Sequence, residues 1–291
     1  MIRLGLGTVQ FGMDYGITNG NGHVAEAQAR DILDTARTAG LDFVDTAALY
    51  GNSETVLGHW GADRFAVVSK TPRFTGGKGA ENAAALKQSA RASLQKLQTR
   101  KLYGLLAHHT PNLLDADGAT LWAAMRELRD EGLTTKIGAS VYSSDDIDAL
   151  LDRHDDLDLI QLPLNVLDQR LIAGGQIARL AQRGVEIHVR SVFLQGLLLQ
   201  PAANAPSHLA DLKPWLARWH AAAASAGLSP MVAAFAFIKS IPGLSAAIVG
   251  VTSVREFQEV HTAFECATTF DAAALACNDA ALVDPSRWSR N

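Results

Sequence analysis

The chain has 291 residues, of which 48% are hydrophobic, and its formal net charge is −4. This length and apolar content suit one large α/β domain with a full core, or two small ones. The acidic balance, with a pI near 6.1, gives no broad basic field, so nucleic acid is not expected as a partner. The two cysteines, Cys266 and Cys277, form no C-x-x-C motif and are too few for a disulfide framework.

The N-terminal segment MIRLGLGTVQFG lacks a basic region followed by a long apolar stretch, so no signal peptide is predicted. No run of about 18 uncharged apolar residues predicts a membrane span. His220 and His261 have no cysteine or carboxylate at ligand spacing, so no metal is expected. We therefore expect a cytoplasmic protein without a membrane partner.

Short apolar runs alternate along the chain with longer stretches of helical periodicity. The runs are apolar on both faces, as is typical of parallel strands covered by helices. The predicted strands are residues 3–7, 41–45, 65–69, 102–107, 136–140, 157–162, 185–191 and 246–250. The predicted helices are residues 24–40, 80–98, 118–132, 143–153, 171–184, 229–240 and 253–264. Eight β-α alternations favour a closed (β/α)8 barrel over an open doubly wound sheet.

No linker divides the chain, so residues 1–291 are predicted to form a single barrel domain with a short C-terminal extension. The Pro/Ala-rich stretch 200–215 follows the seventh strand and is predicted to be an active-site loop rather than a domain boundary. Trp288, near the C-terminus, is expected to pack on the barrel exterior or to cover part of its mouth.

Four chemically active side chains follow three successive strands. Asp45 ends the second strand and Tyr50 lies five residues later, Lys70 follows the third strand, and His108 follows the fourth. Because the carboxyl ends of barrel strands converge on one mouth, we expect these side chains to meet there. An acid, a cation, a phenol and an imidazole together indicate proton transfer to or from a small polar substrate.

Each of these residues alone has a structural interpretation. Asp45 could cap a helix, Tyr50 could be packed structure, and Lys70 could be a solvated cation. Their joint occurrence on the second, third and fourth strands favours a shared site. His108 and His109 are adjacent, and successive strand residues point to opposite faces, so only one of them is expected to face the mouth.

This set, in this order, resembles the catalytic tetrad of the aldo-keto reductases, which are nicotinamide-dependent carbonyl oxidoreductases. The matching segments are FVDTAALYGNSE, FAVVSK and LYGLLAHH. The resemblance places His108 at the catalytic position, whereas a family variant with one residue between the His and a Pro would place His109 there. In this chemistry Tyr50 is the general acid/base, a neighbouring Lys70 lowers its pKa, and Asp45 keeps Lys70 charged. His108 would donate a hydrogen bond to the substrate oxygen.

The resemblance covers almost the whole chain and extends to cofactor contacts. The further segments are 5–12, 50–58, 136–143, 160–170, 190–199 and 248–260. They imply that a nicotinamide cofactor is bound by Thr8, Ser140, Gln161, Arg190, Ser191, Phe193, Gly250, Thr252, Ser253 and Glu256. No G-x-G-x-x-G motif is present, which is consistent with dinucleotide binding on a barrel.

Four positions depart from the family pattern. Val141 stands where many members have Asn, and Arg190 stands where a Tyr commonly stacks on the nicotinamide. Gly250 and Glu256 occupy positions where NADPH-specific members carry a Lys and an Arg for the 2′-phosphate. A carboxylate repels that phosphate and accepts hydrogen bonds from ribose hydroxyls. The family default favours NADP(H) and Arg255 could compensate, whereas the local chemistry leans towards NAD(H) or dual use, so the predicted cofactor is NADP(H) or NAD(H).

The leading hypothesis is an NAD(P)(H)-dependent oxidoreductase that interconverts an aldehyde or ketone and an alcohol, or a sugar hemiacetal and a lactone. Its partner is then a small-molecule carbonyl or alcohol substrate. One alternative is a nicotinamide-binding regulatory protein on the same barrel that needs no turnover. Another is a Schiff-base lyase that uses Lys70 as its nucleophile.

Overall fold

A computed structural model describes residues 2–288, and its eight parallel strands close into a barrel in chain order. The strands are β1 (Arg3–Gly7), β2 (Phe43–Asp45), β3 (Ala66–Lys70), β4 (Leu102–Ala107), β5 (Thr134–Ser140), β6 (Leu159–Pro163), β7 (Glu186–Arg190) and β8 (Leu244–Gly250). All eight predicted strands are present, and the predicted (β/α)8 barrel is confirmed. β2 is shorter than expected, since it has only three residues.

Helices surround the barrel and connect its strands. They are α1 (Glu26–Thr38), α2 (Ser53–His59), α3 (Gly79–Lys96), α4 (Pro111–Leu114), α5 (Gly118–Asp130), α6 (Ser144–Arg153), α7 (Arg170–Ala173), α8 (Gln176–Gln182), α9 (Lys213–Ser225), α10 (Pro230–Ser240), α11 (Val254–Glu265) and α12 (Ala280–Val283). Each of the seven predicted helices has a counterpart among them. Residues 171–184 divide into α7 and α8 at Gly175, whose φ of 76° lies in the left-handed region.

The stretch after β7 has more structure than a loop. Short 3-10 turns occupy Ala202–Asn204 and Ser207–Leu212, and α9 begins directly afterwards at Lys213. Pro206 directly precedes the second 3-10 turn. Pro214 lies in the first turn of α9, where proline is tolerated because its missing N–H would have no intrahelical partner. The prediction of an active-site loop over 200–215 is therefore wrong for residues 213–215, which lie in α9.

Two apolar regions hold the barrel together. One fills its interior with Phe43, Val68, Leu106, Leu159, Ala246 and Ile248. The larger one lies between the barrel and the helices, and it includes Val44, the residue between the inward-facing Phe43 and Asp45. A Cβ at Gly5 would lie 2.4 Å from Cδ1 of Phe43, so a glycine here makes room for the aromatic ring. Trp288 is half-buried and packs against the outer region.

Among residues 2–288, no single helix combines the length and the apolar character required to cross a membrane. One bent pair, Ser207–Ser225 with Pro230–Ser240, meets these criteria only when its two parts are taken together. The two parts make an angle of 88°.

A charged cluster closes the end of the barrel opposite the mouth. Glu186 of β7 accepts hydrogen bonds from Tyr103 Oη at 2.6 Å and Arg3 Nη2 at 3.2 Å, and it contacts His188 Nε2 at 2.6 Å. It also forms an ion pair with Lys136. Burial opposes ionisation of Glu186, but the bonds from His188, Lys136 and Tyr103 outweigh it and hold its pKa well below the usual range. Four strands are therefore tied together through one carboxylate.

Replacement of Glu186 by Gln should destabilise the protein by about 3 kcal/mol at neutral pH, because Lys136 loses its counter-ion and Arg3 keeps only its pair with the exposed Asp42. The contribution of Glu186 is fully present above the unfolded carboxyl pKa of about 4.3. It is lost as the pH falls towards the lower folded pKa, so the difference between wild type and variant should shrink on acidification. Urea unfolding at several pH values measures this.

Glu127→Gln is the matched control, because Glu127 is exposed and forms a surface pair with Lys87. That change should alter stability by less than about 1 kcal/mol. Equal losses in the two variants would contradict the role given to Glu186.

Candidate active site

The alternation of side chains along the strands builds the mouth of the barrel. Residues two apart on a strand share a face, so a polar residue two positions after an interior residue points into the barrel at its C-terminal end. The pairs are Phe43 with Asp45, Val68 with Lys70, Leu106 with His108, Leu159 with Gln161 and His188 with Arg190. Five strands thus each bring one polar side chain to the same end of the barrel.

The same alternation separates His108 from His109. His108 lines the cavity at the barrel mouth, whereas His109 is not among the lining residues. The ring of His108 meets that of Tyr50 edge to face, with centroids 5.5 Å apart. Its Nδ1 is buried without a hydrogen-bond partner within residues 2–288. Of the two adjacent histidines, His108 is therefore the one that can contact a ligand in the cavity.

A buried ion pair lies at the floor of the cavity. Lys70 Nζ donates to both carboxylate oxygens of Asp45, at 2.8 and 2.7 Å, and to the carbonyl oxygen of Thr46 at 2.9 Å. Gln161 Nε2 donates to Asp45 Oδ1 at 2.7 Å. Lys70 is 1% exposed and Asp45 is 4% exposed, so the pair is shielded from solvent. Gln161, which holds the Asp45 side of the pair, comes from β6 on the other side of the barrel.

Tyr50 is positioned by a tight turn between β2 and α2. Its amide donates to the carbonyl oxygen of Ala47, and its carbonyl accepts from the amide of Ser53, the first residue of α2. Gly12 packs so closely against this turn that a Cβ there would lie 1.7 Å from the Tyr50 carbonyl oxygen. These contacts fix the backbone of Tyr50, and its half-buried side chain lines the cavity.

The environments of Tyr50 and His108 set their protonation states. Burial, and next the negative charge of Asp45, raise the pKa of Tyr50 above its usual value, against the opposing charge of Arg190. Burial lowers the pKa of His108 to about 3, and the positive charges of Lys70 and Arg190 contribute further. At neutral pH the site therefore presents a protonated phenol and a neutral imidazole.

This result differs from the expectation that Lys70 lowers the pKa of Tyr50. The three hydrogen bonds donated by Lys70 go to Asp45 and Thr46, and none goes to the phenol. Nζ of Lys70 lies 5.0 Å from the centroid of the Tyr50 ring, so the cation faces the ring. The neighbouring carboxylate cancels the charge that would otherwise stabilise a phenolate.

The cavity at the mouth has a volume of about 510 Å³, within the usual range for small-molecule and cofactor sites. Most of the residues selected from the sequence line it. They are Thr8, Asp45, Tyr50, His108, Ser140, Gln161, Arg190, Ser191, Phe193, Gly250, Thr252 and Glu256. Lys70 and Ser253 are not among the lining residues. Lys70 lies behind Asp45, and Ser253 caps α11 by accepting from the amide of Glu256 at 3.1 Å.

The hydroxyl of Thr8 has a different environment from the one expected of a cofactor ligand. Thr8 is 0% exposed, and its Oγ1 donates to the carbonyl oxygen of Asp45 at 2.9 Å. It also lies 2.9 Å from the hydroxyl of Ser53. The side chain therefore joins the end of β1 to the β2 turn that carries Tyr50.

The turn between β8 and α11 is organised around Glu256. One carboxylate oxygen of Glu256 accepts from both the amide of Thr252 at 2.6 Å and its hydroxyl at 2.9 Å. Arg255 points elsewhere, because its Nε is 2.9 Å from Glu259 and its side chain is 88% exposed. The carboxylate of Glu256 thus accepts a hydrogen bond from the amide of Thr252, a backbone donor of the kind that binds phosphate at the start of a helix.

The segment between β1 and α1 also lines the cavity, through Tyr15, Thr18, Asn19 and Asn21 among others. Thr18 Oγ1 donates to the carbonyl oxygen of Gln195 after β7, and Asn21 Nδ2 donates to Thr252 Oγ1 after β8. Sequence reasoning did not select these residues. The available signal was length, since residues 8–25 exceed the usual two to six residues of a βα loop.

Within residues 2–288, no group of three or more His, Cys, Asp or Glu side chains is arranged to hold a metal ion. The polar side chains at the floor of the cavity include Asp45, Tyr50, His108, Ser140, Gln161 and Arg190, and Lys70 is bonded to Asp45 beneath them.

Comparison with known proteins places this architecture in a family. The model of the aldo/keto reductase family matches residues 3–280. The uncharacterized oxidoreductases Mb2320 of Mycobacterium bovis and Rv2298 of Mycobacterium tuberculosis are each 31% identical over 275 residues, which cover 88% of this chain and 82% of the relative.

Solved structures share the fold at lower identity. Aldo-keto reductase AKR11C1 from Bacillus halodurans, in its holo form, has a TM-score of 0.76 at 22% identity and covers 98% of this chain and 95% of its own. An aldo-keto reductase from Klebsiella pneumoniae in complex with NADPH has a TM-score of 0.68 at 22% identity and covers 91% and 86%. The chain belongs to the aldo/keto reductase family and is an NAD(P)-dependent oxidoreductase built on a (β/α)8 barrel.

Proposed function

We propose that this protein interconverts an aldehyde or ketone and an alcohol, with Tyr50 as the group that gives or takes the proton. The observation that supports this most is the convergence of Tyr50, His108 and the Asp45–Lys70 pair on one cavity. Reduction of a carbonyl needs a hydride at carbon and a proton at oxygen. A bound nicotinamide would supply the hydride.

Tyr50 and His108 have separate parts in the proton transfer. A phenol that stays protonated at neutral pH can donate to a carbonyl oxygen as negative charge develops there. A neutral imidazole can donate a second hydrogen bond to the same oxygen and fix its direction. Asp45 and Lys70 place a rigid, internally neutral floor under the phenol ring. In the reverse direction Tyr50 would accept the proton from the alcohol.

The residues present along the cavity suit a nicotinamide dinucleotide. His108 Nδ1 and Gln10 Oε1 are buried and have no partner within residues 2–288, and they lie on the β4 side and the β1 side of the mouth. Ser140 and Gln161 are the candidates for the nicotinamide amide, since Gln161 still has a carbonyl oxygen free to accept after its bond to Asp45. Candidates along the rest of the dinucleotide are Ser191, Phe193, Gly250, Thr252 and Glu256, whereas the hydroxyl of Ser253 is used to cap α11.

Geometry disfavours the Schiff-base alternative. Lys70 is 1% exposed and its three hydrogen bonds are directed to Asp45 and Thr46, so its nitrogen has no free path to a carbonyl in the cavity. A regulatory protein that only binds the cofactor would keep the same cavity. Turnover that is lost when Tyr50 is replaced would identify an oxidoreductase and would exclude a purely regulatory protein.

Tyr50→Phe should lower turnover by about 10²- to 10⁴-fold, because it removes the proton donor and leaves the ring. Binding of the cofactor should be nearly unchanged. The measurement is oxidation of NADH and of NADPH by the purified protein with aromatic, aliphatic and sugar aldehydes, beside cofactor titration by fluorescence.

Tyr103→Phe is the matched control, because Tyr103 bonds to Glu186 at the opposite end of the barrel. It should keep the turnover of the wild type at a temperature where both are folded. Unchanged turnover in Tyr50→Phe would refute the proposed proton donor.

The pH dependence of kcat/KM for reduction should show no ionisation of His108 or Tyr50 between about pH 5 and pH 8. Burial holds the pKa of His108 at about 3 and raises that of Tyr50, so neither proton changes in this interval. A pH profile of kcat/KM for wild type and His108→Asn checks this. An inflection near neutral pH that disappears in His108→Asn would contradict the neutral imidazole.

NAD(H) is the cofactor that the turn before α11 favours in this proposal. Glu256 lines the cavity there, and its charge would repel a 2′-phosphate and accept a hydrogen bond from a ribose hydroxyl. The amide of Thr252 is already bonded to this carboxylate, so it is not free for phosphate.

Glu256→Arg should therefore raise the NADPH-to-NADH ratio of kcat/KM by about tenfold or more, as expected for replacing a repulsive charge by an attractive one. Glu256→Gln keeps an acceptor for Thr252 but removes the charge. It should raise the NADPH-to-NADH ratio of kcat/KM by less than Glu256→Arg does. Glu265→Arg makes the same charge change at the far end of α11, where the side chain is exposed. An equal shift in Glu265→Arg, or no shift in Glu256→Arg, would exclude Glu256 as the determinant.

A further inference from the structure

Arg190 brings a positive charge to the reacting end of the cavity. It is the last residue of β7 and lies on the same inward face as Glu186 and His188. Its backbone is in register with Pro163 at the end of β6. The side chain is half-buried and lines the cavity that also contains Tyr50 and His108. Its charge acts on both of those groups.

The guanidinium is held in a fixed orientation by the loop after β5. Nη2 donates to the carbonyl oxygen of Val141 at 2.8 Å, and Cζ lies 4.1 Å from the centroid of the Tyr142 ring. An aromatic face and a carbonyl acceptor together fix the plane of the group. Arg190 is therefore oriented in advance for a ligand.

The remaining donors of this guanidinium have no protein partner. Within residues 2–288, Nε and Nη1 of Arg190 make no hydrogen bond, and no carboxylate lies within 4.0 Å of its nitrogens. Asp45, the buried carboxylate of the site, is bonded to Lys70 and Gln161. Nη2 carries a second N–H, so one two-donor edge of the guanidinium, Nη2 with either Nε or Nη1, is left for the two oxygens of a carboxylate or phosphate.

The charges along the cavity are separated into two regions. Asp45 and Lys70 neutralise each other, and Tyr50 and His108 carry no charge at neutral pH. Glu256 and Glu259 line the α11 side, where Glu259 is paired with Arg255 and Glu256 has no cationic partner within residues 2–288, whereas among the described lining residues Arg190 is the cation. An anionic ligand is therefore favoured beside Arg190 and disfavoured at the opposite side.

We propose that Arg190 binds an anionic group of the substrate, so that the enzyme prefers carbonyl compounds that carry a carboxylate or a phosphate near the reacting carbon. This inference rests on the proposed function, because it concerns the same cavity and the same reaction. Arg190 is a specificity residue in this view. The family pattern instead implies a residue that stacks on the nicotinamide at this position.

The test compares an anionic aldehyde with a neutral one of similar size. The carboxylate pair is 4-carboxybenzaldehyde and its methyl ester, and the phosphate pair is glyceraldehyde 3-phosphate and glyceraldehyde. Wild type should favour the anionic member of at least one pair in kcat/KM, and that pair identifies the anion. In Arg190→Gln the anionic-to-neutral ratio should fall by about tenfold to a hundredfold through a higher KM. Arg190→Lys keeps the charge but not the planar fork, and it should retain part of the ratio.

Arg91→Gln is the control, since Arg91 is exposed and pairs with Glu131 on the barrel exterior. It should leave the ratio unchanged. A wild type without preference for either anionic aldehyde would overturn the proposal. So would an Arg190→Gln variant whose main defect is weaker binding of the cofactor, because Arg190 would then act on the dinucleotide.

A second measurement separates this proposal from the proposed function. Calorimetric binding of each aldehyde to the protein with oxidised cofactor reports recognition without hydride transfer to the aldehyde. A preference for the anionic aldehyde that is lost in Arg190→Gln supports the role of Arg190 even where no turnover is found, and the failure then belongs to the proposed reaction. Equal binding of both aldehydes, with normal turnover, overturns the role of Arg190 alone.

Discussion

The buried pair of Asp45 and Lys70 is the constraint on which the site depends. Two charges removed from water destabilise a protein unless the remaining donors and acceptors are satisfied. Here Thr46 and Gln161 complete that network, and its members come from the ends of β2, β3 and β6. Displacement of any one of these strand ends would break a hydrogen bond to a charged group. The polar floor of the cavity therefore fixes the strands relative to one another.

The same pair also determines the electrostatics seen by a ligand. A lone ammonium at this place would favour a phenolate on Tyr50, whereas the neutralised pair leaves burial and Asp45 to favour the phenol. The neutral imidazole of His108 arises first from burial, and the positive charges of Lys70 and Arg190 oppose its protonation further. The only uncompensated charges that line the cavity among the described residues lie at Arg190 and at the acidic side of α11. Reactivity and selectivity thus reside in different groups of side chains.

Much of this arrangement could be predicted from the sequence. Apolar runs on both faces identified all eight strands, and the period of two along β4 decides between His108 and His109 once Leu106 is known to face the interior. From the sequence, alternation shows that the two histidines point to opposite faces, but it does not show which of them faces the interior. The hydrogen bonds of Gln161 and Thr8 were also beyond reach, because they join residues 116 and 37 positions apart.

Conformations after β7 were likewise hidden from sequence patterns. Ser191, Leu194 and Gln195 have φ values of 59°, 48° and 54°, although side chains other than glycine rarely adopt the left-handed region. The backbone propensities of serine, leucine and glutamine do not predict a positive φ at these positions. The surrounding contacts must therefore impose this conformation. The division of helix 171–184 was partly visible, because two glycines stand at its break.

The bridge made by Thr18 and Asn21 has a mechanical consequence. Both residues belong to one short length of chain whose ends are anchored in β1 and α1, and they bond to the loops after β7 and after β8. A displacement of either loop is therefore transmitted to the other through this covalent connection. Separation of the three loops would break the exposed bond of Thr18 and the half-buried bond of Asn21 and would leave the hydrogen bonds between the barrel strands intact.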